Sequence, residues 1–110
     1  MLIAVAGPYS AATQEQRQRN LDSLNEAAAA IFKLGHIPLI GVNAALAIVE
    51  WLDTESDRYE AMMTISLALV DKCDAILMID SSPGANRERD LVKAKGLPVY
   101  ESFNDIPAAS

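Results

Sequence analysis

Residues 2–6, "LIAVA", are an unbroken apolar run stopped by Gly7-Pro8, which predicts a buried strand and then a turn. Thr13 and Gln16 form a T-x-x-Q capping box, and Leu21, Leu24, Ala28, Ile31 and Phe32 follow at helical spacing. Gly35 suits the position just past the helix end, so the first helix is expected over about 13–34. "HIPLIGV" (36–42) reads as a second strand and the very apolar "AALAIVEWL" (44–52) as a short helix. Thr54-Glu55-Ser56-Asp57 offers a cap for a helix over 57–71. On that helix Met62, Met63, Ile65, Leu69 and Val70 share one side, while Asp57, Glu60, Thr64 and Asp71 lie opposite. "AILMI" (75–79) predicts a third strand, residues 85–95 a helix ending at Gly96, and "LPVY" (97–100) a fourth strand. The tail, 101–110, reads as a short turn or loose chain.

Strands alternate with helices, and the strands are apolar on both sides. That pattern predicts an α/β fold with a parallel sheet covered on both faces. Right-handed crossovers reduce the topologies to few. The expectation is one domain over 1–110: a small doubly wound, flavodoxin-like sheet of about four strands in the order 2-1-3-4. The switch point then lies between strands 1 and 3, and a ligand belongs at their carboxyl ends. The loops there are Gly7-Pro8-Tyr9-Ser10 and the segment from Asp80 to Asn86, with Ser82-Pro83-Gly84 at its centre.

One charge on the helix at 85–95 is out of place. At about 100° per residue, Glu88 falls on the arc between Leu91 and Val92, with Ala85 beside them. Asn86, Arg89, Asp90 and Lys93 lie opposite. Glu88 is therefore expected to point inward, in the first turn, at the sheet's carboxyl edge. There the helix N-terminus is expected to hold it ionised against partial desolvation. An ionised, positioned carboxylate in a cleft suits a nucleophile at a sugar carbon. Ser66 is a second inward polar residue, in the middle of the apolar side of helix 57–71; alone, a serine there bonds the carbonyl one turn back. The N–H groups of the 7–10 loop make a natural anion site, and Ser82 and Gly84 add donors from the other loop. Neither a P-loop nor a GxGxxG dinucleotide motif is present.

Composition narrows the function classes. The chain has 110 residues and a net charge of −6, with two Phe, three Tyr and one Trp, which is unsuited to tracking a nucleic-acid backbone. No apolar run approaches the roughly 18 residues of a membrane span, and no signal peptide is evident, so a cytoplasmic protein is expected. The single cysteine, Cys73, reads as a buried structural thiol, and the single histidine, His36, as structural too. No metal and no cofactor are expected. Arg17, Arg19, Arg87 and Arg89 read as charged helix faces, with Arg87 or Arg19 able to reach a phosphate. The apolar 44–52 segment, with Leu46, Ile48, Val49, Trp51 and Leu52, exceeds what a four-stranded domain buries, so a homo-oligomer is expected, with this segment and helix 57–71 at the interface.

Four stretches occur in order: "AVAGPYS", "RNLDSLNEAAAAIFKLGHIPL", "LVDKCDAILMID" and "SPGANRERDLVKAKGLPV". Together they resemble the nucleoside 2-deoxyribosyltransferase superfamily, which includes the 2′-deoxynucleoside 5′-phosphate N-hydrolases. The resemblance runs over about residues 3 to 100. Its most specific part is S-x-G-x-x-x-E followed by G-x-P-V, here Ser82, Gly84, Glu88, Gly96, Pro98 and Val99. The resemblance implies the same doubly wound fold and makes Glu88 the nucleophile at C1′ of the sugar. It implies that Gly7, Pro8, Tyr9 and Ser10 approach the sugar or its 5′-phosphate, that the Ser82–Gly84 loop helps hold them, and that neighbouring subunits close the site, so that the loop Asp53–Asp57 serves another subunit's pocket. Two positions depart from it. Ser66 stands where characterised members carry an aspartate that assists the departing base, and Ala4 stands where several have a tyrosine. Asp80, Asp53 and Asp57 are then the candidate acids.

These readings lead to an enzyme cleaving or transferring the N-glycosidic bond of a nucleoside or nucleoside 5′-monophosphate through Glu88. The alternative is a nucleotide-binding or sensing module of the same fold without catalysis. A response-regulator receiver needs acidic residues after strand 1, and a flavodoxin needs a Ser/Thr-rich phosphate loop there; "AVAGPYS" supplies neither.

Overall fold

A computed structural model describes residues 1–53 and 57–109. Four strands, β1 (Leu2–Ala6), β2 (Ile37–Leu39), β3 (Ala75–Met78) and β4 (Val99–Tyr100), form one all-parallel sheet in the order β2-β1-β3-β4. Four helices connect and cover them: α1 (Gln14–Lys33), α2 (Gly41–Val49), α3 (Arg58–Val70) and α4 (Pro83–Ala94). The predicted fold class and strand order are therefore those of the molecule.

Residue alternation along β1 and β3 builds two cores. Ile3, Val5, Ala75 and Leu77 pack with Leu24, Ala28 and Ile31 of α1 on one face. Ala4, Ala6, Ile76 and Met78 pack with Val70 of α3 and with Ala85 and Val92 of α4 on the other. A third cluster joins Val42, Ala45 and Val49 of α2 to Met62 of α3.

Thr13 caps α1 by accepting from the Gln16 N–H, but the Gln16 amide turns to Asn20 instead of closing the box. Gly35 and Gly96, just past α1 and α4, take positive φ (94° and 73°) and end those helices as expected. The tail is docked. A 3-10 turn over Phe103–Asp105 places Ile106 in the α1 core, and the Ala109 N–H bonds the Leu34 carbonyl. His36, buried, donates from Nε2 to the Pro107 carbonyl at 2.6 Å and accepts at Nδ1 from the Met1 amino group. Those two bonds give it the structural role expected.

Several boundaries move: α2 ends at Val49 instead of Leu52 and β4 begins at Val99 instead of Leu97, and two further shifts shape the site. The second strand stops at Leu39, and α2 begins at Gly41, three residues earlier than predicted. An apolar run such as 37–49 has no periodicity that separates strand from helix. A contact outside that segment decides the boundary: a Cβ at Gly41 would lie 2.0 Å from Ser66 Oγ, so glycine is what lets the start of α2 close on α3. The fourth helix starts at Pro83 instead of Ala85, with Pro at the N-terminal positions and Ser82 accepting from the Ala85 N–H. The cap expected at Thr54–Asp57 lies mostly outside the described residues; Asp57 itself makes no side-chain cap bond.

Candidate functional site

Ala85, Glu88 and Val92 occupy the buried positions of α4, so the carboxylate does point inward. Glu88 is 4% exposed and Ser66 is fully buried. Ser66 Oγ donates to Glu88 Oε2 at 2.8 Å across the α3–α4 interface. The serine therefore does not bond its own helix, as one in isolation would. Among the described residues every fully buried side-chain polar atom has a partner, and Oε1 has none. One carboxylate oxygen is thus clamped from behind, and the other reaches the surface of a cavity.

That cavity measures about 230 Å³. Gly7, Pro8, Tyr9 and Ser10 line one side of it, Ser82 and Gly84 another, and Glu88 lies at the wall between. Every predicted loop residue is present at it. Ser66 stands behind Glu88 and is not in the lining.

Four lining residues outside the two loops escaped the sequence reading: Tyr59, Met62, Met63 and Val42. Tyr59, Met62, Met63 and Ser66 recur at helical spacing on α3, so following the serine's own stripe toward the helix start finds the wall. Gly84 sets its width. A Cβ there would come 3.2 Å from Met63 Sδ and 3.7 Å from the Tyr59 hydroxyl. Outside the cavity, Arg87 pairs with Glu60 at 2.8 Å and lies 6.0 Å from the Tyr59 ring centroid, which ties α4 to α3 beside the opening.

The electrostatics of Glu88 correct the expectation drawn from the helix terminus. Burial pushes its carboxyl up from 4.5 to about 7, and the Ser66 hydrogen bond offsets only part of that. With α4 starting at Pro83, Glu88 sits in the second turn, and no acidic residue occupies the first. The helix dipole acts over about one turn, so desolvation prevails. The carboxyl titrates near neutral pH instead of being held charged.

The remaining candidates lie elsewhere. Asp80 bonds the Ser81 N–H and lines a different cavity, over α1. Asp53 and Asp57 are exposed and do not line the Glu88 cavity. Arg19 pairs with Glu15 and Arg89 with Asp90 on solvated faces. Cys73 is buried, and burial with nearby Asp74 pushes its thiol up to about 11, which suits packing and not nucleophilic attack. Among the described residues no group of three or more His, Cys, Asp or Glu side chains is placed to hold a metal ion, and no helix is long and apolar enough to cross a membrane.

No curated protein matches the chain. One family model matches residues 1–101, spanning all four strands, both glycine loops and Glu88. The chain therefore belongs to that family, described as a domain of unknown function, DUF4406.

Proposed function

We propose that the protein cleaves or transfers the N-glycosidic bond of a nucleoside or nucleoside 5′-monophosphate, with Glu88 as nucleophile. The observation that carries this reading is the placement of Glu88: one oxygen held by Ser66, the other open to a cavity walled by both glycine loops. The resemblance of Ser82, Gly84 and Glu88 to the nucleoside 2-deoxyribosyltransferase motif supports it.

In this reading the sugar sits between the loops at 7–10 and 80–86. Glu88 Oε1 attacks C1′, a C1′–O bond forms, and the C1′–N bond breaks with its electron pair leaving on the base. Water then attacks C1′ and releases the carboxylate; overall it supplies hydroxyl to the sugar and a proton to the base. A second base in place of water gives transfer. Attack requires the ionised carboxylate, so activity rises as pH climbs through about 7. The test is base release from a panel of nucleosides and nucleotides. Wild type releases base and Glu88→Gln does not; equal release by both removes the proposal.

A second reading, binding without cleavage, has its own observation in favour: no other carboxyl lines the cavity among the described residues to protonate the departing base. Calorimetry that shows nucleotide binding with no free base formed selects it. In either reading we place the protein in the cytoplasm as a homo-oligomer joined through the exposed end of α2 and the turn after it, where Ile48 is 51% exposed and Trp51 88%.

A further inference from the structure

A second chamber, about 590 Å³, adjoins the Glu88 cavity. Tyr9, Ser10, Tyr59 and Met62 wall both, so the two spaces meet at the two tyrosines and a ligand long enough to pass them would occupy both. The chamber lies among the N-terminal half of α1, the end of α2 and the start of α3.

Its charges are unusual for this molecule. The chain carries −6 overall, and most of its arginines are neutralised locally. Of the five, Arg19, Arg87 and Arg89 pair with Glu15, Glu60 and Asp90. The two that pair with no carboxylate among the described residues, Arg17 and Arg58, both line this chamber. Each is half-buried. Arg17 donates one N–H to the Ala11 carbonyl at 2.8 Å, which fixes its guanidinium against the loop after β1; its other donors meet no acceptor among the described residues. Glu50 shares the chamber but forms an ion pair with neither arginine.

We propose that Arg17 and Arg58 form an anion-recognition site that anchors a phosphate group of the ligand whose sugar lies at Glu88. The site rests on the preceding functional reading for the identity of that sugar, but not for its own existence. Planar guanidiniums bind phosphate oxygens through paired, charge-assisted hydrogen bonds. Long-range steering works against an anion here, because the net charge repels it. That field is screened over about 8 Å at physiological salt, so two local cations decide the binding. The substrate class is accordingly a phosphorylated nucleoside and not the free nucleoside.

Calorimetry with the four 2′-deoxynucleosides and their 5′-monophosphates tests this. Wild type binds the monophosphates about tenfold or more tighter. Arg17→Gln and Arg58→Gln each lose most of that preference while leaving nucleoside affinity unchanged, and Arg89→Gln keeps it. Inorganic pyrophosphate, added alone, shifts the Arg17 and Arg58 Nε–H resonances. Equal affinity for nucleosides and monophosphates in wild type overturns the site. So does a preference that survives in both arginine variants, or failure of pyrophosphate and every monophosphate to bind. If phosphates bind through the arginines and no base is released, the anion site stands and the glycosidic reading falls. If base is released and the arginine variants keep the phosphate preference, the reverse holds.

Discussion

Ser66 on α3 and Glu88 on α4 share a hydrogen bond of 2.8 Å between two side chains that are almost wholly shielded from solvent. Desolvation raises the Glu88 carboxyl, and the serine hydroxyl is the group that pulls it down. Ser66→Ala removes that donor. The Glu88 pKa then moves above its wild-type value of about 7, read by NMR titration of the Glu88 side-chain carboxyl carbon. The lower limb of any pH–rate profile shifts to higher pH with it. Losing a buried hydrogen bond also costs about 1–3 kcal/mol of stability. A Glu88 pKa unchanged in Ser66→Ala contradicts the clamp.

Glu88 also makes stability depend on pH, with a definite sign. Its folded-state pKa, about 7, is above the ordinary 4.5. Between those values the folded state holds a proton that the unfolded state has released. Stability from this group is therefore fully present below about 4.5 and is lost as pH rises through about 7. The loss is on the order of 3 kcal/mol. Glu88→Gln removes that slope, so the variant is more stable than wild type at pH 8 and close to it at pH 5. Denaturant melts at the two pH values read the difference directly. A wild-type curve with the same slope as the variant shows that the carboxyl is not desolvated.

Gly41 supports the clamp from behind. A methyl group there would meet Ser66 Oγ at 2.0 Å, Cβ at 3.0 Å and Cα at 3.1 Å. Because a backbone atom is among the three, turning the serine side chain does not relieve the clash, and α2 has to move off α3. Gly41→Ala is expected to cost about 1–3 kcal/mol by overpacking and to raise the Glu88 pKa as the serine is displaced. Gly96→Ala is the control. Its position has φ 73° and no neighbour within 4 Å of an added Cβ, so it loses stability through backbone strain alone. A Glu88 titration that moves in the first variant and not in the second supports the positioning role.

Much of this was legible in the sequence, for identifiable reasons. The central strands β1 and β3 are buried on both faces, so their apolar runs marked them without ambiguity. Glu88 stood out because a helix projection depends only on spacing, and shifting the helix start by two residues leaves its face unchanged. Its charge state depends on where the helix begins, and Pro83-Gly84 read as loop. The start of α2 was hidden for a different reason: it is set by a contact with Ser66, 25 positions further along the chain. Local pattern carries no record of such a contact. Met62 and Met63 read as ordinary core residues of their helix because a cavity wall and a core use the same side chains at the same spacing.

The exposed end of α2 yields the last expectation. Ile48 in the last turn of α2 and Trp51 and Leu52 just past it are 51%, 88% and 40% exposed. A large aromatic buries about 150–250 Å² when covered, so this cluster, if covered by a second copy, would supply a substantial part of the roughly 800 Å² each partner contributes to a standard interface. Sedimentation at micromolar concentration is expected to show a species larger than the monomer. Trp51→Glu shifts it to monomer without unfolding it, because the indole makes little contact within its own chain. Melting temperature then rises with protein concentration in wild type and not in the variant. The end of α2 also walls the arginine chamber through Val49 and Glu50, so on the proposed reading any nucleotide affinity is expected to fall in the monomeric variant if a neighbouring copy closes that chamber. A wild-type protein that sediments as a monomer at tens of micromolar shows instead that the tryptophan faces solvent, and that one chain completes the site alone.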